Sequence, residues 1–313
     1  MFRKNSTQFT FGEQLIYQSL PEDTLSQIDR LIDWKRFEKI LSSLHPAKVG
    51  RKAYNPVLML KILIIQQMYG HSDPEMELML KGNLFYRRFL DLSATDPVPD
   101  HSTISRFRSD LKEMGLYRRC FSELKGQIAK KGFELRFGKV IDARLVKAAR
   151  RPGKDRDASF SKRGKKVIYG YKDHIAIDPR SEFVSEFVCT GANVHDSRVM
   201  GNLLEGDEGA IFADKAYDKD SFKRECRREG KFYGILAKGR RGRPLSRRQR
   251  RRNRVLSRVR GKVERVFGVF SLHLCRREAR YVGLIANEIH LFLTCFTYNL
   301  LNLHWRLRRA ESP

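Results

Sequence analysis

The first third of the chain places apolar residues at helical spacing. Such residues recur three to four positions apart at Leu25, Ile28 and Ile32, and residues 57–68 are almost continuously apolar. Asn55-Pro56 predicts the start of this second helix, because asparagine caps helices and proline suits their first turn. Gly70 predicts its end.

Capping signals continue between residues 72 and 108. Ser72 precedes an acidic first turn, and Asp100 or Ser102 can cap the helix that begins near Thr103. Short helices joined by tight turns are typical of a helix-turn-helix module that enters a DNA groove, but a plain helical or dimerisation domain has the same periodicity. We predict that residues 1–134 form a helical domain for DNA binding or assembly.

Near residue 135 the pattern changes to short runs rich in β-branched and aromatic residues. The runs predict strands at residues 139–146, 169–177, 183–189, 210–213 and 232–237. Helical sequence occupies residues 218–228 and about 245–270. We therefore predict that residues 135–313 form an α/β domain, a mixed sheet flanked by helices, preceded by the all-α domain.

Charge makes nucleic acid the leading partner. The chain has 63 Lys and Arg against 36 Asp and Glu, a formal charge of +27, which attracts polyanions. Eleven arginines and no acidic residue lie between residues 240 and 260 of a basic segment at about 239–260. The alternative is a solvated loop. Arg241 and Arg243 flank Gly242 as in the core of a minor-groove AT-hook, so we expect them to contact double-stranded DNA.

Other features narrow the class of protein. The longest apolar run is far too short to span a bilayer, and the N-terminus has no secretion signal. The five cysteines show no Cys-x-x-Cys spacing, so we expect reduced, buried thiols. A cytoplasmic, nucleoid-associated protein is predicted.

Three acids stand in unusual surroundings. Asp142 is centred in an apolar strand, Asp214 ends another, and Glu264 is the lone acid of a strongly basic helix. Each also has an ordinary interpretation, as a strand-end cap, a helix cap, or a partner of Arg260 or Arg265. If the three converge, they can hold two divalent cations for phosphodiester cleavage. Oxygen ligands favour Mg²⁺, with Mn²⁺ as a substitute.

The sequences around these acids resemble those of DDE transposases of bacterial insertion sequences, of the IS-five and IS-four kind. The resemblance extends over roughly residues 40–300 and follows the order of the family's motifs. Its segments are residues 50–56, 58–67, 99–103, 106–108, 141–142, 169–172, 192–197, 213–218, 264–268 and 280–283.

The resemblance implies an RNase H-like fold, with Asp142 on the first strand, Asp214 on the fourth and Glu264 on a helix beside them. It implies that these three are the catalytic and metal-binding residues, with two Mg²⁺ ions per site. The implied reaction cuts DNA at terminal inverted repeats and joins the 3′ ends to target DNA, within a homodimer or higher assembly. The alternatives are a same-fold nuclease without strand transfer and a catalytically inactive or domesticated DNA-binding protein.

Around the glutamate, the sequence fits the family's Tyr-Arg-Glu-Lys signature only in part. Arg260 matches, whereas Ser257 stands at the tyrosine position and Ser271 at the lysine position. Lys262 or Arg265 can replace the missing phosphate contact. Ala216 stands where the family has glycine after Asp-Lys.

Further DNA contacts are expected at Lys172 and Lys215, whose alternative is a plain basic surface, and at Arg106 and Arg108 in the helical domain. His195-Asp196-Ser197 is interpreted as a helix start with Asp196 or Ser197 as the cap, not as part of the catalytic set.

Overall fold

The computed structural model describes residues 9–44, 53–135, 137–164, 166–204, 209–239, 242 and 244–311, without the side chains of residues 163 and 311. It contains two compact units, Met1–Gln127 with Asn299–Pro313, and Ile128–Tyr298. The functional division into residues 1–134 and 135–313 stays a prediction.

The described N-terminal region is helical, as predicted. Its helices are α1 (Phe11–Ser19), α2 (Thr24–Leu31), α3 (Trp34–Leu41), α4 (Pro56–Tyr69), α5 (Asp73–Gly82), α6 (Leu84–Phe89), α7 (His101–Glu113) and α8 (Leu116–Lys130). The predicted limits of α4 are confirmed, because Asn55 caps its start and Gly70, at φ 77°, ends it in the left-handed conformation. Of the two candidate caps of α7, Asp100 is the one that accepts from the Thr103 amide, at 2.7 Å.

The described residues of the second unit form a six-stranded mixed sheet, which confirms the predicted α/β class. Its strands are β1 (Lys139–Lys147), β2 (Ser159–Arg163), β3 (Lys166–Ile177), β4 (Val184–Gly191), β5 (Ala210–Ala213) and β6 (Phe232–Ile235). The order is β2-β3-β1-β5-β6, with β4 also paired to β3. β1 is antiparallel to β3 and parallel to β5, and β5 is parallel to β6.

One strand was not predicted. β2 pairs antiparallel with the beginning of β3, from Lys166 to Gly170. Its sequence is polar, and its one large apolar residue, Phe160, is 55% exposed, so it lacks the pattern of a buried strand. As a consequence Asp214 follows the fifth of the described strands, and the expected fourth position is wrong.

Helices and short turns complete the unit. They are α9 (Asp196–Val199), α10 (Asp220–Arg228), α11 (Arg247–Leu272), the start of α12 (Leu284–Glu311), and the 3-10 turns Met200–Leu203 and Lys215–Tyr217. α11 packs against β1 and β5 through an apolar face that includes Val263 and Phe267. Ser246 and Gln249 form its capping box. Across the described residues, no helix has both the length and the apolar character needed to cross a bilayer.

All five cysteines lie in the described residues, and none of them forms a disulfide. Four are buried, as expected for structural thiols, but Cys275 is exposed and the prediction was wrong for it. Cys275 has a φ of 50° in the irregular segment after α11, a position that no hydrophobic periodicity marks.

Candidate active site

Strand register places two of the predicted acids side by side. In the parallel pair β1–β5, Ile141 lies opposite Ala213. Asp142 is the next residue on β1, and Asp214 is the first residue after β5. Because neighbouring parallel strands run in the same direction, Asp142 and Asp214 stand at equivalent positions, one residue beyond this pair. The Asp142 side chain is only 16% exposed.

A single arginine connects Asp142 to the third acid. The Arg260 guanidinium donates to Asp142 Oδ2 at 3.2 Å and to Glu264 Oε1 at 3.0 Å. Arg260 and Glu264 are four residues apart on α11 and therefore share one helix face. Glu264 is 60% exposed, so it lies at the open side of the site. Asp142 is thus related to Asp214 by strand register and to Glu264 through Arg260.

The electrostatic surroundings of Asp142 disfavour its charge. Burial raises the pKa of Asp142 to about 6, and the negative charges of Asp214 and Asp196 act in the same direction. Arg260 and the Ala143 amide, 2.9 Å from Oδ1, oppose this shift. An ionised Asp142 is therefore stabilised by any additional cation near it.

The side chains at this site suit a hard divalent cation. The donors are carboxylate oxygens, and the buried Asp142 charge is incompletely compensated. Among the described residues, no three acidic, histidine or cysteine side chains are gathered tightly enough to bind one ion. Arg260 contacts one oxygen of Asp142 and one of Glu264, so a cation at these oxygens would compete with the guanidinium.

A fourth carboxylate, Asp196, lies near the site. Lys172 on β3 donates to Asp196 Oδ1 at 2.8 Å and to the Val194 carbonyl at 2.7 Å. The prediction that Asp196 or Ser197 caps α9 was wrong, because the His195 ring nitrogen accepts from the Ser197 amide. That arrangement leaves the Asp196 carboxylate to Lys172, a placement that the sequence did not reveal.

The sequence pattern did not mark Tyr217 as a residue near these acids either. It ends the 3-10 turn that starts after Asp214, and its amide donates to the Asp214 carbonyl at 3.0 Å. The residue is fully buried, and its hydroxyl has no hydrogen-bond partner among the described residues. Burial raises the pKa of Tyr217 well above its usual range, and the charges of Asp196, Asp142 and Asp214 add to the effect.

The predicted DNA contacts differ in how they are held. Lys215 is exposed, and so is Arg106, which donates to the Ser102 and Thr103 hydroxyls. Lys262 donates to the Pro179 carbonyl at 2.5 Å, and Arg265 pairs with Glu182. These two contacts hold α11 against the β3–β4 turn, while DNA binding by either residue stays a prediction.

Three further residues were predicted to contact DNA. Two of them lie outside the described residues, and the third has a structural role. Arg241 and Arg243 are outside the described part of the chain. Arg108 is 6% exposed, and its guanidinium binds Asp73 and Gln66. Since this network already uses the Arg108 donors, the expected phosphate contact conflicts with its placement. Sequence alone could not separate Arg108 from the exposed Arg106 two residues earlier.

The N-terminal half of α11 carries the arginine-rich sequence in ordered form. An exposed arginine row on one face consists of Arg247, Arg251, Arg254 and Arg258. Arg252 points the other way and donates to the Tyr233 and Ile235 carbonyls of β6. Asn253 exchanges hydrogen bonds with the Ala237 backbone. The alternative interpretation of a solvated loop is therefore wrong for residues 247–260.

The raised pKa gives a stability prediction. Asp142→Asn is expected to increase the free energy of unfolding by roughly 2–3 kcal/mol near pH 7, because it removes a charge that folding disfavours. A carboxyl with a raised folded-state pKa stabilises the fold fully at low pH, and this contribution is lost as pH rises from about 4 through about 6. Denaturant unfolding of both proteins between pH 4 and 8 measures the gap. Parallel curves over that range would contradict the expectation.

Two family models match the chain. A model described as Transposase domain (DUF772) matches residues 14–110, and one described as Transposase DDE domain matches residues 138–300, more than half of the chain. Among solved structures, the chain is similar to a piggyBac transposase in a synaptic complex with hairpin DNA, determined by cryo-EM. The identity is 12%, the TM-score is 0.44, and the match covers 96% of this chain and 82% of that chain.

Proposed function

The chain belongs to the DDE transposase family, and from this we propose that it cuts phosphodiester bonds at transposon ends and joins the 3′ ends to target DNA. The proposed catalytic residues are Asp142, Asp214 and Glu264. The observation that carries the proposal is the linkage of these acids, with Asp142 beside Asp214 on parallel strands and joined to Glu264 through Arg260.

We propose Mg²⁺ as the cofactor, two ions per site, with Mn²⁺ as a substitute. Asp142, Asp214 and Glu264 would hold these ions. When bound, such ions activate the attacking oxygen and stabilise charge on the leaving oxygen. One nitrogen of the Arg260 guanidinium, Nη2, donates to both Asp142 and Glu264, and a guanidinium is the side-chain group best suited to bind a phosphate through paired N–H donors. It is freed for that contact once Glu264 and Asp142 turn to another cation.

The arginine row of α11 indicates the path that the DNA backbone takes along the protein. α11 rises about 1.5 Å per residue, so Arg247 and Glu264 are separated by roughly 25 Å along the helix. This length corresponds to about seven base pairs of a duplex. We propose that the backbone of the transposon end follows the row, and that the scissile phosphate lies where α11 meets β1 and β5.

Salt dependence tests this surface. Replacing Arg251, Arg254 and Arg258 together by glutamine is expected to reduce the slope of log binding constant against log salt by about 3, since each phosphate contact contributes roughly 0.9. Arg252→Gln is the matched control, because Arg252 binds strand carbonyls and should change stability without changing the slope. Fluorescence anisotropy on a labelled duplex measures both. Equal slopes for the triple variant and the wild type would place the DNA elsewhere.

Catalysis is tested with labelled DNA that carries the inverted repeats flanking the gene. The wild-type protein is expected to cut at the repeat ends with Mg²⁺ or Mn²⁺ but not with EDTA, and to produce joined products when target DNA is added. Cutting without joined products would identify a nuclease of the same fold. Binding without cutting would identify a DNA-binding protein.

A further inference from the structure

Tyr217 is placed as an unused hydrogen-bond donor behind the acids. Its ring packs in the core cluster that contains Ile141 and Ala213, the residues preceding Asp142 and Asp214. Its side chain is fully buried, and within the described part of the chain the hydroxyl has no hydrogen-bond partner. A buried hydroxyl without a partner is uncommon in proteins and marks either a strained position or a functional one.

Other tyrosines of the same unit are satisfied. The Tyr171 hydroxyl donates to Asp155 Oδ2 at 2.6 Å, that of Tyr169 to the Asp155 carbonyl at 2.5 Å, and that of Tyr233 to Asp218 Oδ1 at 2.8 Å. Among the described tyrosines, Tyr217 is the one whose buried hydroxyl lacks a partner. Phenylalanine would fill the same core position without this cost, so packing alone does not account for a tyrosine here.

The surroundings of Tyr217 identify the kind of acceptor. The charged groups acting on it are the carboxylates of Asp142, Asp196 and Asp214, which we call the acidic cluster, and the Arg260 guanidinium. Its backbone is fixed directly to Asp214, and its turn packs against α9, which begins with Asp196. A phenol hydroxyl donates well to a carboxylate oxygen. It is neutral, however, so it does not offset the negative charge of the acidic cluster.

We propose that Tyr217 is a positioning residue, whose hydroxyl donates to a carboxylate oxygen of the acidic cluster when a divalent cation is bound. A carboxylate that binds a cation through one oxygen keeps a second oxygen for an outer hydrogen bond, and such a bond fixes its orientation. Lys172 already donates to Oδ1 of Asp196, another member of the acidic cluster. This inference rests on the proposed metal-dependent function.

The test compares Tyr217→Phe with Tyr233→Phe in the full-length chain. Mn²⁺ binding is followed by electron paramagnetic resonance of the free ion, with and without a duplex carrying a repeat end. Thermal unfolding in EDTA measures the fold itself. Tyr233→Phe is the matched control, because Tyr233 uses its hydroxyl on Asp218 outside the acidic cluster.

Tyr217→Phe is expected to weaken Mn²⁺ binding by about 10-fold or more, the usual effect of losing an outer hydrogen bond to a metal ligand. Its unfolding temperature in EDTA should equal or exceed that of the wild type, because the unsatisfied hydroxyl is gone. Tyr233→Phe should bind Mn²⁺ like the wild type.

Binding of Mn²⁺ by Tyr217→Phe within twofold of the wild type would overturn the inference and leave the proposed function intact. A parallel loss of Mn²⁺ binding and of stability in EDTA would also overturn it, since that pattern indicates a structural role. If the wild type neither binds Mn²⁺ nor cuts DNA, the proposed function fails and the inference fails with it.

Discussion

Asp142→Asn is expected to abolish metal-dependent cutting of transposon-end DNA, with a rate loss of at least about a thousandfold. Several kcal/mol of transition-state stabilisation depend on bound cations, and each 1.4 kcal/mol corresponds to about tenfold in rate. Asparagine keeps the shape of the side chain but removes the negative charge that binds a cation. Asp214→Asn and Glu264→Gln should have effects of the same order.

DNA binding should survive in all three variants. The arginine row lies in the N-terminal half of α11, whereas Glu264 lies in its C-terminal half and the two aspartates belong to the sheet. Asp218→Asn is the matched control, since Asp218 is only four residues beyond Asp214 but is exposed and accepts from Tyr233. Gel analysis of cleaved repeat ends, beside anisotropy of binding, separates the two properties. Near-normal cutting by any of the three acid variants would remove that residue from the catalytic set.

Arg276→Met is expected to lower the free energy of unfolding by about 3–5 kcal/mol, the largest stability effect that we predict. Arg276 and Asp173 are both fully buried, and the guanidinium binds the two Asp173 oxygens at 2.7 and 3.0 Å. It also contacts Asn287 and the His290 ring. Removing one partner of a buried ion pair leaves an uncompensated charge, which costs far more than the pair contributes.

Urea unfolding measures this loss, with Arg277→Met as the control because Arg277 is the exposed neighbour in sequence. The double variant Asp173→Leu with Arg276→Met should recover much of the stability, since no isolated charge remains. A double variant as unstable as Arg276→Met would show that packing around Arg276, rather than the charge on Asp173, determines the loss.

Sequence patterns predicted the parts of the fold that depend on local signals. Asn55 and Gly70 bound α4 because cap and turn preferences act over a few residues. Asp142 was recognised as unusual because an acid within an apolar strand contradicts the surrounding pattern. β2 was not predicted, because its strand character comes from pairing with β3 and not from its own polar residues.

The surroundings of the acids depended on tertiary contacts that the sequence did not show. Asp196 was interpreted as a cap, since the Lys172 ammonium that binds it lies 24 residues earlier. Tyr217 stands beside a recognised acid, but its burial and its missing partner are visible only in three dimensions. Arg106 and Arg108 look equivalent in sequence, yet one is exposed and the other is fixed inside a polar network.

The anchoring of α11 to β6 limits how this protein can vary in length. Because Arg258 and Glu264 lie on one uninterrupted helix, inserting or deleting one residue between them would rotate the arginine row by about 100° relative to the acid. Arg252 and Asn253 fix the helix at its other end, so such a change could not be relieved by turning the whole helix. A change in length is therefore far better tolerated ahead of Ser246, the residue that caps α11, than within the helix.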